Sequence, residues 1–176
     1  MTLATLLAIV ALLGLSPISS ERCSIISADG STWRPTVART VDLVHRAEFI
    51  ALATATRADT LEYPNGTRAP AVAFRVTEVI AGAESLPPEL LFSGHLSDDD
   101  DFNPGTVPYA TVRPAGQRGS CYAHTYRLEA NYLFLLSRPN EHLTPYWAPL
   151  APVNEQVRGA DDPWVTWVRA ERARGR

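Results

Sequence analysis

Lysine is missing from this 176-residue chain, and all sixteen of its basic side chains are arginine. A GC-rich coding genome produces that bias without functional selection, which points to a bacterial source rather than to a charge-reading partner. Cysteine occurs only twice and methionine once. The sequence carries no dinucleotide fingerprint, phosphate-cradling glycine loop, GxSxG elbow or HExxH helix, so no cofactor is implied and no catalytic motif is present. The net charge of -3 is too small for a nucleic-acid footprint, so nucleic acid is excluded as a partner. With 45% apolar and 20% charged residues the composition also excludes global disorder.

The longest apolar run spans residues 3–15, ends at Pro17 and two serines, and meets its first charges at Glu21 and Arg22. It is shorter than the roughly 20 residues a bilayer span needs. Residues 1–20 are therefore expected to be a secretory signal peptide, leaving no stable membrane insertion after cleavage. Residues 21–176 fall in the size range of one hydrophobic core, so one domain is expected, periplasmic or secreted. In an oxidising compartment the two remaining cysteines, Cys23 and Cys121, are expected to form a disulfide.

Hydrophobic periodicity then orders the chain. Val37, Val41, Val44 and Ala47 stand near helical spacing, with Pro35 suited to a first turn, and predict a short amphipathic helix over 35–46. The run Phe49 to Thr56 reads as a strand buried on both faces. Tyr63-Pro64-Asn65-Gly66 reads as a turn, and the alternating run Val72 to Val79 as the returning strand of a hairpin that Gly82 ends. Asn65-Gly66-Thr67 also matches a glycosylation acceptor, which most bacteria leave unused, so the turn is the expected reading. Leu90, Leu91 and Phe92 form a short strand. Residues 94–119 read as a long loop or two short strands. Tyr122, Tyr126 and Leu128 suggest a strand edge, and Tyr132 to Leu136 a central strand. A proline-stiffened strap follows through Pro145, Tyr146, Trp147, Pro149 and Pro152. Asp161-Asp162-Pro163 predicts the start of a last helix, with Trp164, Trp167 and Val168 turned inward and Arg169, Arg172, Arg174 and Arg176 in solvent.

The segments Ala47 to Ala53, Val72 to Gly82, Ser120-Cys121-Tyr122 and Tyr132 to Leu136 together resemble the bacterial relatives of the tissue inhibitors of metalloproteinases. That resemblance implies a mainly β fold with flanking helices. It would be a five-stranded OB-like (netrin-like) barrel, with a helix before the first strand and another at the C-terminus. In the family a mature N-terminal Cys-X-Cys chelates the protease zinc. Here only Cys23 matches, Ile25 stands where the second cysteine would be, and cleavage after Ser20 would leave Glu21-Arg22 in front. The resemblance therefore implies the fold without the inhibition.

Candidate chemistry is sparse. Gly119-Ser120-Cys121-Tyr122 echoes a papain-type nucleophile, yet His124 and His142 lie too near in sequence to serve it. His45, His95, His124 and His142 show no paired zinc spacing. His95 near Asp98, Asp99, Asp100 and Asp101 offers a weak divalent-cation candidate, although the run lacks the alternation of an EF-hand. Glu62, Glu78, Glu129, Glu141 and Glu155 are the carboxylates from which an acid and base pair would have to be drawn. Tyr146 and Trp147 are the candidate binding residues, since such aromatics are enriched at hot spots. The expectation is an exported binding protein whose partner is a protein, with oligomeric state open. The alternatives are a small exported hydrolase or cation-binding protein using His95 and the Asp98–Asp101 loop, or a structural envelope component.

Overall fold

The computed structural model describes residues 23, 25–26, 32–63, 65–82, 86–118, 120–139, 142–146 and 148–175. The expected signal peptide, Trp147, Glu141 and Arg176 lie outside the described residues. Two two-residue strands, β1 (Ile25–Ile26) and β2 (Thr32–Trp33), pair before the first helix, α1 (Val37–Arg46). The expected helix is thus present, but it precedes the first strand of the large sheet rather than the first strand of the chain.

In α1 the cap is Thr36, whose side chain accepts the Arg39 N–H at 3.3 Å, and Pro35 stands ahead of the cap instead of in the first turn. The buried stripe is Thr40, Leu43 and Val44, whereas Val37 is exposed. Threonine joins an apolar stripe because its hydroxyl donates to the Tyr109 carbonyl at 2.8 Å.

The large sheet has the order β10 (Asn154–Val157), β8 (Asn131–Ser137), β3 (Phe49–Glu62), β4 (Arg68–Ala81), β5 (Glu89–Ser93), with β9 (Thr144–Pro145) beside β8. β3 (Phe49–Glu62) and β4 (Arg68–Ala81) form a long antiparallel hairpin, closed by the Gly66 N–H on the Tyr63 carbonyl at 2.8 Å. β5 (Glu89–Ser93) lines the far edge of β4, and β8 (Asn131–Ser137) pairs with the first half of β3. The outer edge of β8 takes β10 (Asn154–Val157) along Asn131–Phe134 and β9 (Thr144–Pro145) at Leu136 and Ser137. Three register shifts between β3 and β4 let the hairpin bend, and the sheet curls into an antiparallel half-barrel. Among the described residues no ladder joins β5 to β10, so hydrogen bonding does not close the curl.

Alternation sorts the two faces. Ile50, Leu52, Leu133 and Leu135 pack with α1 and the last helix, α2 (Pro163–Arg174). Phe49, Ala53, Phe74, Tyr132, Phe134 and Leu136 face the inside of the curl. Phe74 centres that inner cluster, edge-on to Tyr126 at 4.8 Å and Phe134 at 4.9 Å between ring centroids. Gly82 ends β4 at φ +78°, where a Cβ would stand 2.7 Å from the Glu48 carbonyl oxygen.

Across the open side run β6 (His95–Ser97) and β7 (Thr125–Arg127), a short parallel pair. The described part of this stretch, residues 94–118, contains one short strand, bridges at Phe102 and Arg118 and a 3₁₀ turn at Pro114–Gln117. Of the expected strand edge only Tyr126 lies in a strand; Leu128 sits exposed in the turn that follows.

α2 starts as expected, with Asp162 accepting the Trp164 N–H at 2.9 Å and Pro163 in the first turn. Trp164 is fully buried and stacks on Trp167 and Tyr109. Arg174 is exposed as expected, whereas Arg169 and Arg172 correct the expectation of a solvated face. Arg169 forks onto the Glu78 carboxylate, and Arg172 donates to the Val44 and His45 carbonyls at the end of α1. A cation is favourable there because a helix C-terminus carries unsatisfied carbonyls and partial negative charge. His45 Nε2 and Glu171 Oε1, 2.9 Å apart, add a second tie between the helices.

Candidate functional site: a cleft beside β5

Cys23 and Cys121 form the expected disulfide, with Cα atoms 5.1 Å apart. The bond fixes one end of the segment 121–127. That segment is further held by the Leu150 N–H on the Cys121 carbonyl at 2.8 Å and by its ladder with β6. Gly94, at φ +153°, lets the β5–β6 connection pass so close that a Cβ there would lie 2.4 Å from the His124 carbonyl oxygen. The His95 N–H donates to that same carbonyl at 2.8 Å. Tyr122, His124 and Tyr126 are thereby set opposite β5.

Between them lies a cleft of about 420 Å³, open to solvent and walled mostly by apolar atoms. Its sides are the end of β3 with Tyr63, β5 from Leu91 to Ser93, residues 122–126, and residues 142–145. Tyr63 is 40% exposed, one of the few large hydrophobic side chains in solvent. The volume is that of a small-molecule or side-chain pocket. Burial lowers the pKa of His124, opposed by a hydrogen bond to the Ser93 backbone; Arg113 and His95 add smaller repulsions. Tyr122 is held neutral by burial, its hydroxyl pKa pushed well up.

Behind the Tyr126 wall lies a polar cluster that no residue pattern announced. Arg113 is fully buried, with its guanidinium 5.2 Å from the Tyr126 ring centroid and 5.3 Å from that of Tyr132. Its Nη1 donates to Asp101 at 2.6 Å and its Nε to the Asn154 carbonyl at 2.8 Å. The Asn154 amide donates to the Ala123 carbonyl at 2.7 Å and to the Tyr126 hydroxyl at 3.0 Å. Glu155, also fully buried, accepts the Arg113 N–H at 2.9 Å and the Asn103 amide at 2.8 Å. Desolvation raises its pKa to about 7, against the pull of Arg113 and these two bonds. The cluster pins the loop 100–113 to β10 and so holds the rear wall of the cleft.

The second half of the acidic run, Asp100 and Asp101, is engaged in that clasp. Asp101 pairs with Arg113, and its N–H donates to the Gln156 side chain at 2.7 Å. Asp100 pairs with Arg127 and accepts from the Gln156 amide at 2.6 Å. Asp98, Asp99 and His95 are exposed, and among the described residues no group of three or more His, Cys, Asp or Glu is arranged to hold a metal ion. Asp100, Arg127 and Gln156 line a second, more open and more polar cleft of about 340 Å³ with Leu128 and Arg158. Of the two aromatic candidates, Tyr146 is half-buried against the helix-side core, its N–H on the Leu135 carbonyl at 2.8 Å; Trp147 is not described. The structure therefore brings His124 and His142, which the sequence left scattered, to one cleft, while His95, paired beside His124 on β6, is not among the cleft's lining residues. No family model matches this sequence, and no curated protein does either. No helix among the described residues is long and apolar enough to cross a membrane.

Proposed function

We propose that this chain is an exported binding module on an OB-like, netrin-like barrel, and that it engages another protein through the cleft beside β5. The observation that carries the reading is the cleft itself: apolar walls, an open mouth, and Tyr63 exposed at its rim. Solvent-exposed aromatic surface next to a concave apolar site is the composition of an interface core, where Tyr and Trp dominate binding energy. The netrin-like assignment is supported by the helix packed beside a long curled hairpin, by the C-terminal helix and by the disulfide between residues 23 and 121. Export is supported by that disulfide and by the apolar run at residues 3–15.

Metalloproteinase inhibition is not part of the reading. The expected cleavage after Ser20 leaves the Cys23 nitrogen in a peptide bond, where its lone pair is delocalised into the carbonyl and is not available to a metal.

Site-specific photo-cross-linking in the native compartment tests the proposal. Tyr63→p-benzoylphenylalanine at the rim should give one discrete protein adduct, and Arg75→p-benzoylphenylalanine, exposed on β4 away from the cleft, should give none. Equal adducts from both positions, or none from either, would refute it.

A further inference from the structure

The outer edge of β5 carries a row of main-chain groups that no strand of this sheet meets. The register with β4 sets Phe92 opposite Val72 and Leu90 opposite Phe74. Just beyond the strand, the Gly94 N–H donates to the Pro70 carbonyl and the Val76 N–H to the Pro88 carbonyl, both at 2.9 Å. An antiparallel ladder bonds every second pair, so Phe92 and Leu90 are the residues of β5 bonded to β4. The N–H and C=O groups of Glu89, Leu91 and Ser93 therefore point the other way. Among the described residues β5 ends the sheet on that side, and apart from the His124 bond to the Ser93 backbone nothing bonds those groups.

Edge strands are ordinarily guarded by charge, proline or a bulge. Residues 89–93 hold no proline, and their one charged side chain, Glu89, reaches back across β4 to Arg57 on β3 at 2.6 Å. Two residues further on, the same side of the chain already serves as a strand edge: the His95 N–H donates to the His124 carbonyl at 2.8 Å, and β6 pairs with β7. The cleft runs along the part that β7 does not reach. Leu91 and Phe92 point to opposite faces of the strand, so a space that both line, with Ser93, lies beside the strand rather than over one face. Residues 122–126 and 142–145 wall its other side. A lane walled on both sides takes one extended chain. The edge of a folded sheet, a second copy of this β5 included, would bring its next strand about 4.8 Å behind the first.

We propose that the Glu89–Ser93 edge captures an extended segment of the partner protein as an added strand, its main chain bonded to Leu91 and Ser93 and every second side chain apolar and turned to the Phe92 face. Main-chain bonds supply the affinity of such a contact and tolerate many sequences, while the alternate side chains set the preference. The proposal rests on the protein-binding reading above and names how that partner is held.

The test is an ¹⁵N chemical-shift titration of the disulfide-intact protein with the pentapeptide acetyl-Val-Thr-Val-Thr-Val-amide and with its all-ester analogue, which keeps the side chains but has no N–H along its internal links. The peptide should shift the Leu91 and Ser93 amides and slow their hydrogen exchange. The ester should bind about 10- to 100-fold more weakly, the loss of two or three hydrogen bonds. Leu91→Pro removes an outward N–H and no bond to β4, so it should keep the thermal midpoint close to that of the wild type and abolish peptide binding. If that variant does not fold, the peptide and ester pair decides alone. Equal affinity for peptide and ester, peptide binding retained in Leu91→Pro, or no protection at Leu91 and Ser93 would overturn the proposal. So would Tyr63→p-benzoylphenylalanine adducts that persist in the Leu91→Pro protein, which would leave the protein-binding reading in place with the partner held elsewhere. Peptide binding to a protein that gives no adduct would instead overturn the protein-binding reading, and the partner strand with it.

Discussion

Glu155→Gln is the substitution whose effect the structure defines most fully. Glu155 is buried with a pKa raised from the ordinary 4.5 to about 7. Below about pH 4.5 the carboxyl is protonated in both the folded and unfolded chain, so ionisation takes nothing from stability. Between pH 4.5 and 7 the unfolded chain releases its proton while the folded chain keeps it, and each rise in pH favours unfolding. Above pH 7 both are ionised and the loss is complete, about 3 kcal/mol for that span. Glutamine does not titrate. Its amide, however, must face one of the two donors now on the carboxylate, the Arg113 N–H or the Asn103 amide, which costs about 1–3 kcal/mol at every pH. The variant should therefore be the weaker protein at pH 4.5 and roughly equal to the wild type at pH 8. Chemical denaturation of both oxidised proteins at half-unit steps of pH gives the difference curve. His124, whose depressed pKa makes stability rise with pH below about 6.5, cancels in that difference. A difference that stays flat from pH 4.5 to 8 would refute the desolvation argument for Glu155.

Replacing both cysteines by serine should lower the unfolding free energy by roughly 4–5 kcal/mol in the chain-entropy account, since residues 23 and 121 close a loop of 98 positions; the shift in urea midpoint measures it. Trp164→Ala should cost about 3–5 kcal/mol by the same assay, because the ring is fully buried between Trp167 and Tyr109. Gly94→Ala forces a Cβ against the His124 carbonyl at a positive φ, so the β6–β7 ladder should open and the Tyr126 and Arg127 amides should exchange faster.

The strands that carry apolar side chains were legible because burial writes its own period. Phe49 to Thr56, Val72 to Val79 and Tyr132 to Leu136 all stand where their hydrophobicity placed them. β10 was not legible. Asn154, Glu155 and Gln156 carry no apolar period, and they are buried only because Asp101, Asn103, Arg113 and Ala123, some 30 to 55 residues earlier, supply their hydrogen bonds. Val37 misled for the converse reason: it kept the helical spacing, while Thr40 took the buried position through the Tyr109 carbonyl. The disulfide followed from counting. The cleft could not, since its four walls come from segments around residues 62, 92, 124 and 143 and no local pattern links them. Its nearest signal was the pair His124 and His142, which sequence spacing alone gave no reason to join.

The single cross-link also sets an order of assembly. Cys23 precedes the helix and every strand of the large sheet, whereas Cys121 follows β3, β4 and β5. The first thiol must remain reduced, or be carried as a mixed disulfide, until the whole hairpin and its edge strand have followed it. With two cysteines in the chain only one internal pairing exists, so no isomerase is needed to correct it. The hazard is instead capture by a thiol of another chain during that wait. Closing the bond anchors the segment that carries Tyr122 and His124 just ahead of β7, so oxidation ties down one wall of the cleft.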